Sequence, residues 1–159
     1  MRFVLPLFVG VLALASPAVS AAKPAPGANA DSVAIRATLD TLNAVCARRD
    51  SVAFDALFDS REPLLFVGSS EGEEFHGRPG VRRFRRFLFS MPFVFSFDLA
   101  HVTIRSDGDH GWAYFDGRML RRSPSGKEGG NRYRFLIAME KRGGAWKWTA
   151  FHGAVPGGE

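Results

Sequence analysis

Cysteine is almost absent from the sequence. Cys46 is the only thiol in 159 residues, so no disulfide can form within the chain. The fold must therefore be held by a hydrophobic core. Phenylalanine can supply that core, because 15 are present and only Phe3 and Phe8 precede residue 23. Burying one such side chain contributes ~1.5–3 kcal/mol, which makes a disulfide unnecessary.

Long hydrophobic runs are also missing. The apolar stretch at residues 3–15 follows Arg2 and precedes the small residues 17–22, a layout typical of a secretory signal peptide. It predicts cleavage between Ser20 and Lys23 and a periplasmic or secreted protein. An uncleaved membrane anchor is the alternative, but the stretch is shorter than the ~20 residues of a spanning helix. After cleavage we expect no stable membrane insertion.

The rest of the chain predicts one domain. Residues 1–22 form the signal peptide, residues 23–30 a disordered Pro/Ala/Gly linker, and residues 31–156 the folded domain. The excess of basic over acidic residues is modest, and export makes nucleic acid an unsuitable partner.

The patterns of several kinds of catalytic site are missing. No two of the four histidines have metal-ligand spacing, and Glu73 and Glu74 have no partner ligands. No glycine-rich loop for a nucleotide follows a strand, and no nucleophile has an identifiable base beside it. We therefore expect neither a metal nor a cofactor.

Three segments predict helices. The first is capped by Asp31 or Ser32, and the second by Asp50. The third opens at residues 77–80 and turns Val81, Phe84, Phe87 and Leu88 inward and Arg82, Arg83, Arg85 and Arg86 outward. The outward arginines fit either a solvated helix face or a site for lipid or polyanion.

Residues 131–153 predict a β-hairpin around Gly143-Gly144. An even loop length makes Met139 face Trp148, and an odd one reverses the assignment. With the even loop, the core face ends in a cavity, while the outer face carries Leu136, Ala138 and Phe151. The core face then carries Tyr133, Phe135, Ile137, Met139, Trp146, Trp148, Ala150 and His152.

A long strand before this hairpin changes its apolar side. Phe93, Phe95 and Phe97 alternate, whereas Val102 and Ile104 have the opposite parity. A β-bulge near Ala100-His101 would restore one face to the core and bend the strand. The predicted fold is therefore α+β, with three helices of the N-terminal half on a strongly bent antiparallel sheet and an apolar pocket at its open end.

The chain resembles the SnoaL-like branch of the nuclear transport factor 2-like superfamily, whose fold is cone-shaped. The resemblance covers residues 33–156, and Ala154 replaces a serine that many relatives carry. It rests on these segments: Leu42-Asn43-Ala44, Arg49-Asp50, Leu57-Phe58, Phe66-Val67-Gly68-Ser69, Gly77-Arg78-Pro79-Gly80-Val81, the turn at residues 106–113, and Trp146-Lys147-Trp148 with Phe151-His152-Gly153-Ala154.

The resemblance also allows the catalytic residues of one known enzyme of this fold to be compared with the residues of this chain. Ketosteroid isomerases of this fold use a tyrosine, a carboxylate base and a protonated carboxylic acid in an apolar pocket. The matching positions here are Leu42, Phe66 and Tyr133. Because Phe66 cannot abstract a proton, that catalytic set is absent, although Tyr133 can still donate a hydrogen bond.

Three functions stay open. The first is an exported module that binds a small, largely hydrophobic molecule. The second is a cyclase, isomerase or hydratase with His152 as acid/base and Tyr133 as hydrogen-bond donor; His152 as a core residue bonded to Tyr133 or to the backbone is the alternative. The third is a dimeric interaction module, since the outer face predicts a homodimer. The expected ligand-binding residues are Leu42, Phe66, Phe95, Trp112, Tyr114, Phe135 and Trp148.

Overall fold

The computed structural model describes residues 29–61 and 63–157, so the predicted signal peptide and nearly all of the predicted linker lie outside the described residues. No helix in the described part is long and apolar enough to cross a membrane. The described helices are α1 (Ala30–Arg48), α2 (Ser51–Ala56) and α3 (Gly77–Ser90), with a 3₁₀ turn at Leu99–His101. The described strands are β1 (Leu65–Val67), β2 (Glu74–His76), β3 (Val94–Phe97), β4 (Thr103–Asp107), β5 (His110–Arg122), β6 (Glu128–Arg142) and β7 (Ala145–Ala154).

The strands form one curled sheet in the order β2-β1-β7-β6-β5-β3, and β4 pairs with the other end of β5. The α+β class and the helix-covered bent sheet are as predicted. One pairing departs from a purely antiparallel sheet: β1 runs parallel to β7, with Phe66 opposite Phe151. Strand β7 therefore joins the short β1–β2 pair to the long β6–β5 pair.

Each helix packs its apolar face against the inner face of this sheet. The buried residues of α1 include Ile35, Leu39, Leu42 and Cys46, which recur at three- and four-residue steps as one face of a helix does. The cap of α1 is Asn29, whose side chain accepts a hydrogen bond from the Ser32 amide at 2.7 Å. The predicted caps Asp31 and Ser32 are therefore wrong by two or three residues, whereas Asp50 caps α2 as predicted.

Helix α3 differs from its prediction at two positions. Arg85 is not a solvated residue, since its side chain is paired with Asp55 and donates to the Ser51 carbonyl at 3.0 Å. Phe87, predicted to face inward, is 45% exposed. The third helix is thus held against α2 by a charged contact as well as by apolar packing.

The hairpin of β6 and β7 follows the predicted register only near its turn. Gly143 and Gly144 have φ of +56° and +81°, values that favour glycine. Met139 faces Trp148 as predicted. The register then shifts by one residue, so that Ala138 faces Ala150 and Leu136 faces His152.

This β-bulge reverses the faces of the second half of β7. Phe151, predicted on the outer face, is buried, and His152, predicted in the core, is exposed. The physical reason is that Phe151 stacks on Phe66 at 4.3 Å between ring centroids. Burying a phenyl ring in place of an imidazole favours the slipped register.

The bulge predicted near Ala100-His101 is instead a turn. The 3₁₀ turn at Leu99–His101 separates β3 from β4, and Asp98 accepts a hydrogen bond from the Ala100 amide at 3.2 Å. The side reversal in the sequence is therefore real, but it divides the expected long strand into two.

Asp59 is the one buried charged residue among those described. Its carboxylate accepts from Arg61 at 3.0 Å and from Arg142 at 3.1 Å. Burial alone would raise the pKa of Asp59, but hydrogen bonds and charge from Arg61 outweigh it and hold the pKa below its usual range. The contact joins the end of α2 to the β6–β7 hairpin.

We expect Asp59→Asn to lower the free energy of unfolding near pH 7 by about 1–3 kcal/mol, since it weakens hydrogen bonds to charged groups. Because the folded pKa is lowered, the carboxylate stabilises the fold above the unfolded value of about 3.9 and loses this effect as pH falls through the lower folded value. Urea unfolding should thus show the gap between wild type and variant shrinking from pH 7 to pH 3.

Asp40→Asn is the control, because Asp40 is exposed and pairs with Arg36 only on the surface of α1. Its effect should stay within about 0.5 kcal/mol. An equal loss in both variants would contradict the role assigned to Asp59.

Candidate functional site

A cavity of about 290 Å³ lies between α1, α3 and the inner face of the sheet. Aromatic side chains make up nearly half of the lining residues. Phe66 is central, because its ring stacks on Phe84 at 3.9 Å and on Phe151 at 4.3 Å. Rings packed on both sides leave the wall little freedom to collapse. The phenylalanines that line the cavity are Phe54, Phe66, Phe84, Phe87, Phe93, Phe95, Phe97 and Phe151.

One side of the cavity is polar. The turn after β1 brings Ser69, Ser70 and Glu73 to the wall. Glu73 accepts hydrogen bonds through its Oε2 from the amides of Ser69 at 2.8 Å and Ser70 at 3.0 Å. These two hydrogen bonds fix the position of the carboxylate. Glu73 therefore stabilises the turn of which it is part.

Tyr133 of β6 lies beside this turn on the cavity wall. The Ser69 hydroxyl lies near its phenol. Burial raises the pKa of Tyr133, and the nearby Glu73 charge adds to the effect, while the Ser69 hydroxyl opposes it. The phenol therefore stays protonated at neutral pH and keeps its ability to donate.

Gly153 makes room for this phenol. A Cβ at that position would collide with the Tyr133 hydroxyl. The Tyr133 ring thus fits against β7 because residue 153 has no side chain. Its hydroxyl lies where the polar turn and the aromatic wall meet.

Five of the predicted site residues line the cavity: Leu42, Phe66, Phe95, Tyr133 and Trp148. Phe135 does not line it. Its ring is fully buried in the layer beneath, stacked on Phe115 at 4.7 Å. Trp148 is fixed by a hydrogen bond from its Nε1 to the Thr38 hydroxyl at 3.0 Å.

Three predicted site residues lie on the other side of the sheet. Trp112 and Tyr114 are exposed on the outer face, because the β5 register gives the inner face to Ala113 and Phe115. His152 is on the outer face through the bulge in β7. The predicted pairing of His152 with Tyr133 is therefore wrong.

The sequence prediction missed the polar lining. Glu73 is recognisable only after the turn places it against Ser69. Arg121 and Asn131 also line the cavity, and both follow from the β5–β6 register, in which Met119 faces Asn131. Arg121 shares parity with Phe115 and Met119, so its place follows once the pairing of β5 shows which face is inward.

Comparisons with known proteins agree with this geometry. A family model described as a SnoaL-like domain matches residues 35–157. No curated protein matches the chain. Among solved structures, a putative dehydratase of the NTF2-like family from Streptomyces avermitilis has a TM-score of 0.70 and 15% identity, over 79% of this chain and 96% of that one.

Two further solved structures share the fold at similar distance. A putative calcium/calmodulin-dependent protein kinase II association domain from Xanthomonas campestris has a TM-score of 0.68 and 17% identity, over 84% of this chain and 93% of that one. A ketosteroid isomerase-like protein from Erwinia carotovora atroseptica has a TM-score of 0.61 and 13% identity, over 82% and 99%. At these identities the likeness concerns the fold.

Cys46 tests whether the side chains of the cavity wall are shielded from solvent. Burial raises the pKa of its thiol to about 12. At about pH 8 only roughly one thiol in 10⁴ would be the reactive thiolate, against a sizeable fraction for an unfolded cysteine with a pKa near 8.5. We expect iodoacetamide to label Cys46 in guanidinium chloride and to leave it unlabelled in the native protein, as measured by mass spectrometry. Rapid native labelling would contradict the buried position.

Proposed function

The chain belongs to the SnoaL-like domain family, a family of ligand-binding or isomerase/dehydratase-type proteins, and on that basis we propose that it binds a small, largely hydrophobic molecule in the aromatic cavity. The observation that carries the proposal is the aromatic cavity with the Tyr133 phenol on its wall. The predicted signal peptide supports a place of action outside the cytoplasm.

The size of the cavity sets the scale of the ligand. An engineered cavity of ~150 Å³ holds one benzene molecule. About 290 Å³ is nearly twice that, which suits a two-ring compound. Such a ligand would replace water on the rings of Phe66 and Phe97, and the burial of apolar surface would drive binding.

Tyr133 would fix the orientation of this ligand. Its neutral phenol is a donor, and the Ser69 hydroxyl beside it can donate or accept. A ligand hydroxyl or carbonyl would meet this pair, while Glu73 is already engaged by two amides. The site thus combines one polar contact with a large apolar surface, the usual composition of a binding pocket.

Binding is favoured over the enzyme alternative by what the cavity wall contains. Leu42 and Phe66 line it at the positions where the isomerases have their tyrosine and their base. Neither side chain can move a proton. His152, the acid/base of that alternative, is on the far side of the sheet from Tyr133, so it supports no step in the cavity.

The test uses 2-naphthol as a two-ring probe in isothermal titration calorimetry. We expect saturable binding of one equivalent to the wild type. Tyr133→Phe should weaken it about 2- to 12-fold, the equivalent of the ~0.5–1.5 kcal/mol of an ordinary hydrogen bond. His152→Gln is the matched control and should change the affinity less than about twofold, because His152 faces away from the cavity.

Leu88→Trp provides an independent check, since Leu88 is half-buried on the cavity wall and an indole there would fill the space. Circular dichroism would verify that this variant folds. If wild type fails to bind 2-naphthol, or if folded Leu88→Trp binds it as well as wild type does, the cavity is not the binding site. Native mass spectrometry of protein from its own host would identify the natural occupant.

A second function is favoured by the outer face of the sheet, where we propose that two copies of the chain pair. Trp112, Tyr114 and Leu136 are 40%, 37% and 47% exposed there. Tyr114 faces Leu136, and Leu136 faces His152, so the side chains form one patch. Phe151, which the sequence prediction placed on this face, is not part of it.

Charges of both signs border the patch. Arg132 and Arg134 converge on Asp116 at 2.9 and 3.0 Å, and Arg105 and Asp107 flank its other end. In a twofold dimer the same patch meets itself, so a border with both signs can be complementary to itself. An apolar centre with such a border is the composition of a stable interface.

We expect sedimentation velocity at about 50 µM to give a dimer, a concentration suited to an interface of micromolar affinity. Leu136→Arg should shift it to monomer by burying an unpaired charge. Val52→Arg is the control, since Val52 is 81% exposed on α2 and carries no part of the patch. A monomeric wild type at that concentration would contradict the proposal.

A further inference from the structure

The inner face of β5 and β6 leads from the core to the rim of the cavity in cross-strand pairs. Phe115 faces Phe135 in the core, and Gly117 faces Tyr133 next to it. Met119 then faces Asn131, and Arg121 follows at the end of the strand. Arg121 lies four positions after Gly117, which is about 13 Å along a strand. The cavity therefore has the Tyr133 hydroxyl at one end of this row and the Arg121 guanidinium at the other, with Met119 and Asn131 between them.

Arg121 at the rim has no carboxylate partner among the described residues. Its guanidinium lies over the ring of Phe93, 5.8 Å from the centroid. That contact orients the planar group and leaves its N–H edge free to donate. The adjacent Arg122 differs, because it is paired with Glu128 at 2.6 Å. Arg121 is thus the cation that lines the cavity and stays available to an anion.

The acidic residue of the cavity does not neutralise Arg121. Glu73 receives its hydrogen bonds from the amides of Ser69 and Ser70, at the Tyr133 end. No ion pair between Glu73 and Arg121 forms in the described part of the chain. The two ends of the cavity therefore have different preferences: the Tyr133 end suits a neutral hydroxyl or carbonyl, and the Arg121 end suits a negative charge.

We infer that the ligand is an amphiphilic carboxylate, with its ring system among the phenylalanines and its carboxylate on Arg121. The inference rests on the proposed ligand-binding function and specifies the ligand class. A carboxylate matches the fork of a guanidinium with two parallel hydrogen bonds. Asn131, on the same wall, donates one amide N–H to the Arg132 carbonyl at 3.0 Å, and its second N–H is a further donor beside it. The ligand enters with its carboxylate outward, because the other end of the cavity is lined by Glu73.

Two probes that differ by one group test this assignment. 6-Hydroxy-2-naphthoate carries a hydroxyl and a carboxylate on two rings, whereas 2-naphthol carries the hydroxyl alone. We expect calorimetry at low salt to show wild type binding 6-hydroxy-2-naphthoate about tenfold more tightly than 2-naphthol, the effect of one charge-assisted contact. The advantage should shrink as salt is added, since the rim is exposed to solvent.

Arg121→Gln should remove this advantage, so that the variant binds the two probes with similar affinity. Arg122→Gln removes the same charge one residue away, on the other face of the strand, and should keep the advantage within about twofold. Arg121→Lys should retain part of it, because a lysine keeps the charge and loses the fork.

The outcomes separate the two proposals. If 2-naphthol binds to wild type but 6-hydroxy-2-naphthoate binds no better, or if Arg121→Gln keeps the preference, the carboxylate assignment is overturned and the hydrophobic pocket stands. An equal loss in Arg121→Gln and Arg122→Gln would also overturn it, because general attraction by net charge would then explain the preference. If neither probe binds to wild type, both proposals are overturned.

Discussion

The stack of Phe66 on Phe151 is the contact on which the rest of the structure depends. Strand β7 lies between the short β1–β2 pair and the long β6–β5 pair, so its faces decide which residues the cavity can have. The stacked rings fix Phe151 inward and require the bulge opposite Ala138. Because Phe151 faces inward, Gly153, two residues further along β7, faces inward too. The Tyr133 hydroxyl then fits in the space beside this glycine. A single aromatic pair thus sets both the wall and the polar group of the site.

The polar parts of the molecule are arranged so that few charges are buried without partners. Asp59 has two arginines, Arg85 has Asp55, and Asp116 has Arg132 and Arg134. Glu73 is satisfied by backbone amides instead of a cation. Because Glu73 is held by these amides, it does not pair with Arg121, the arginine that lines the cavity. The cavity can therefore keep opposite preferences at its two ends without the two groups pairing with each other.

The fold was predictable from the sequence because its signals are local and repeated. The spacing of Ile35, Leu39 and Leu42, the cap at Asp50 and the glycines at 143 and 144 each indicate one element. The cavity residues on regular segments, such as Phe66 and Trp148, followed from those elements. His152 did not, because its side depends on one extra residue in a strand, and alternation alone cannot locate a bulge. The prediction that Trp112 and Tyr114 line the cavity was wrong for a related reason. Strand β5 has aromatic residues on both faces, so its sequence does not show which face is buried. Glu73 and Arg121 required the tertiary pairing.

Gly153 gives the shape of the cavity an unusual point of control. Because the Tyr133 hydroxyl occupies the space of a missing Cβ, a methyl group added to the strand at residue 153 would displace the phenol from its present position. The shape of the cavity wall at Tyr133 would then change. One carbon atom at a residue outside the cavity lining would thus alter the polar part of that wall, while every phenylalanine of the wall stays the same.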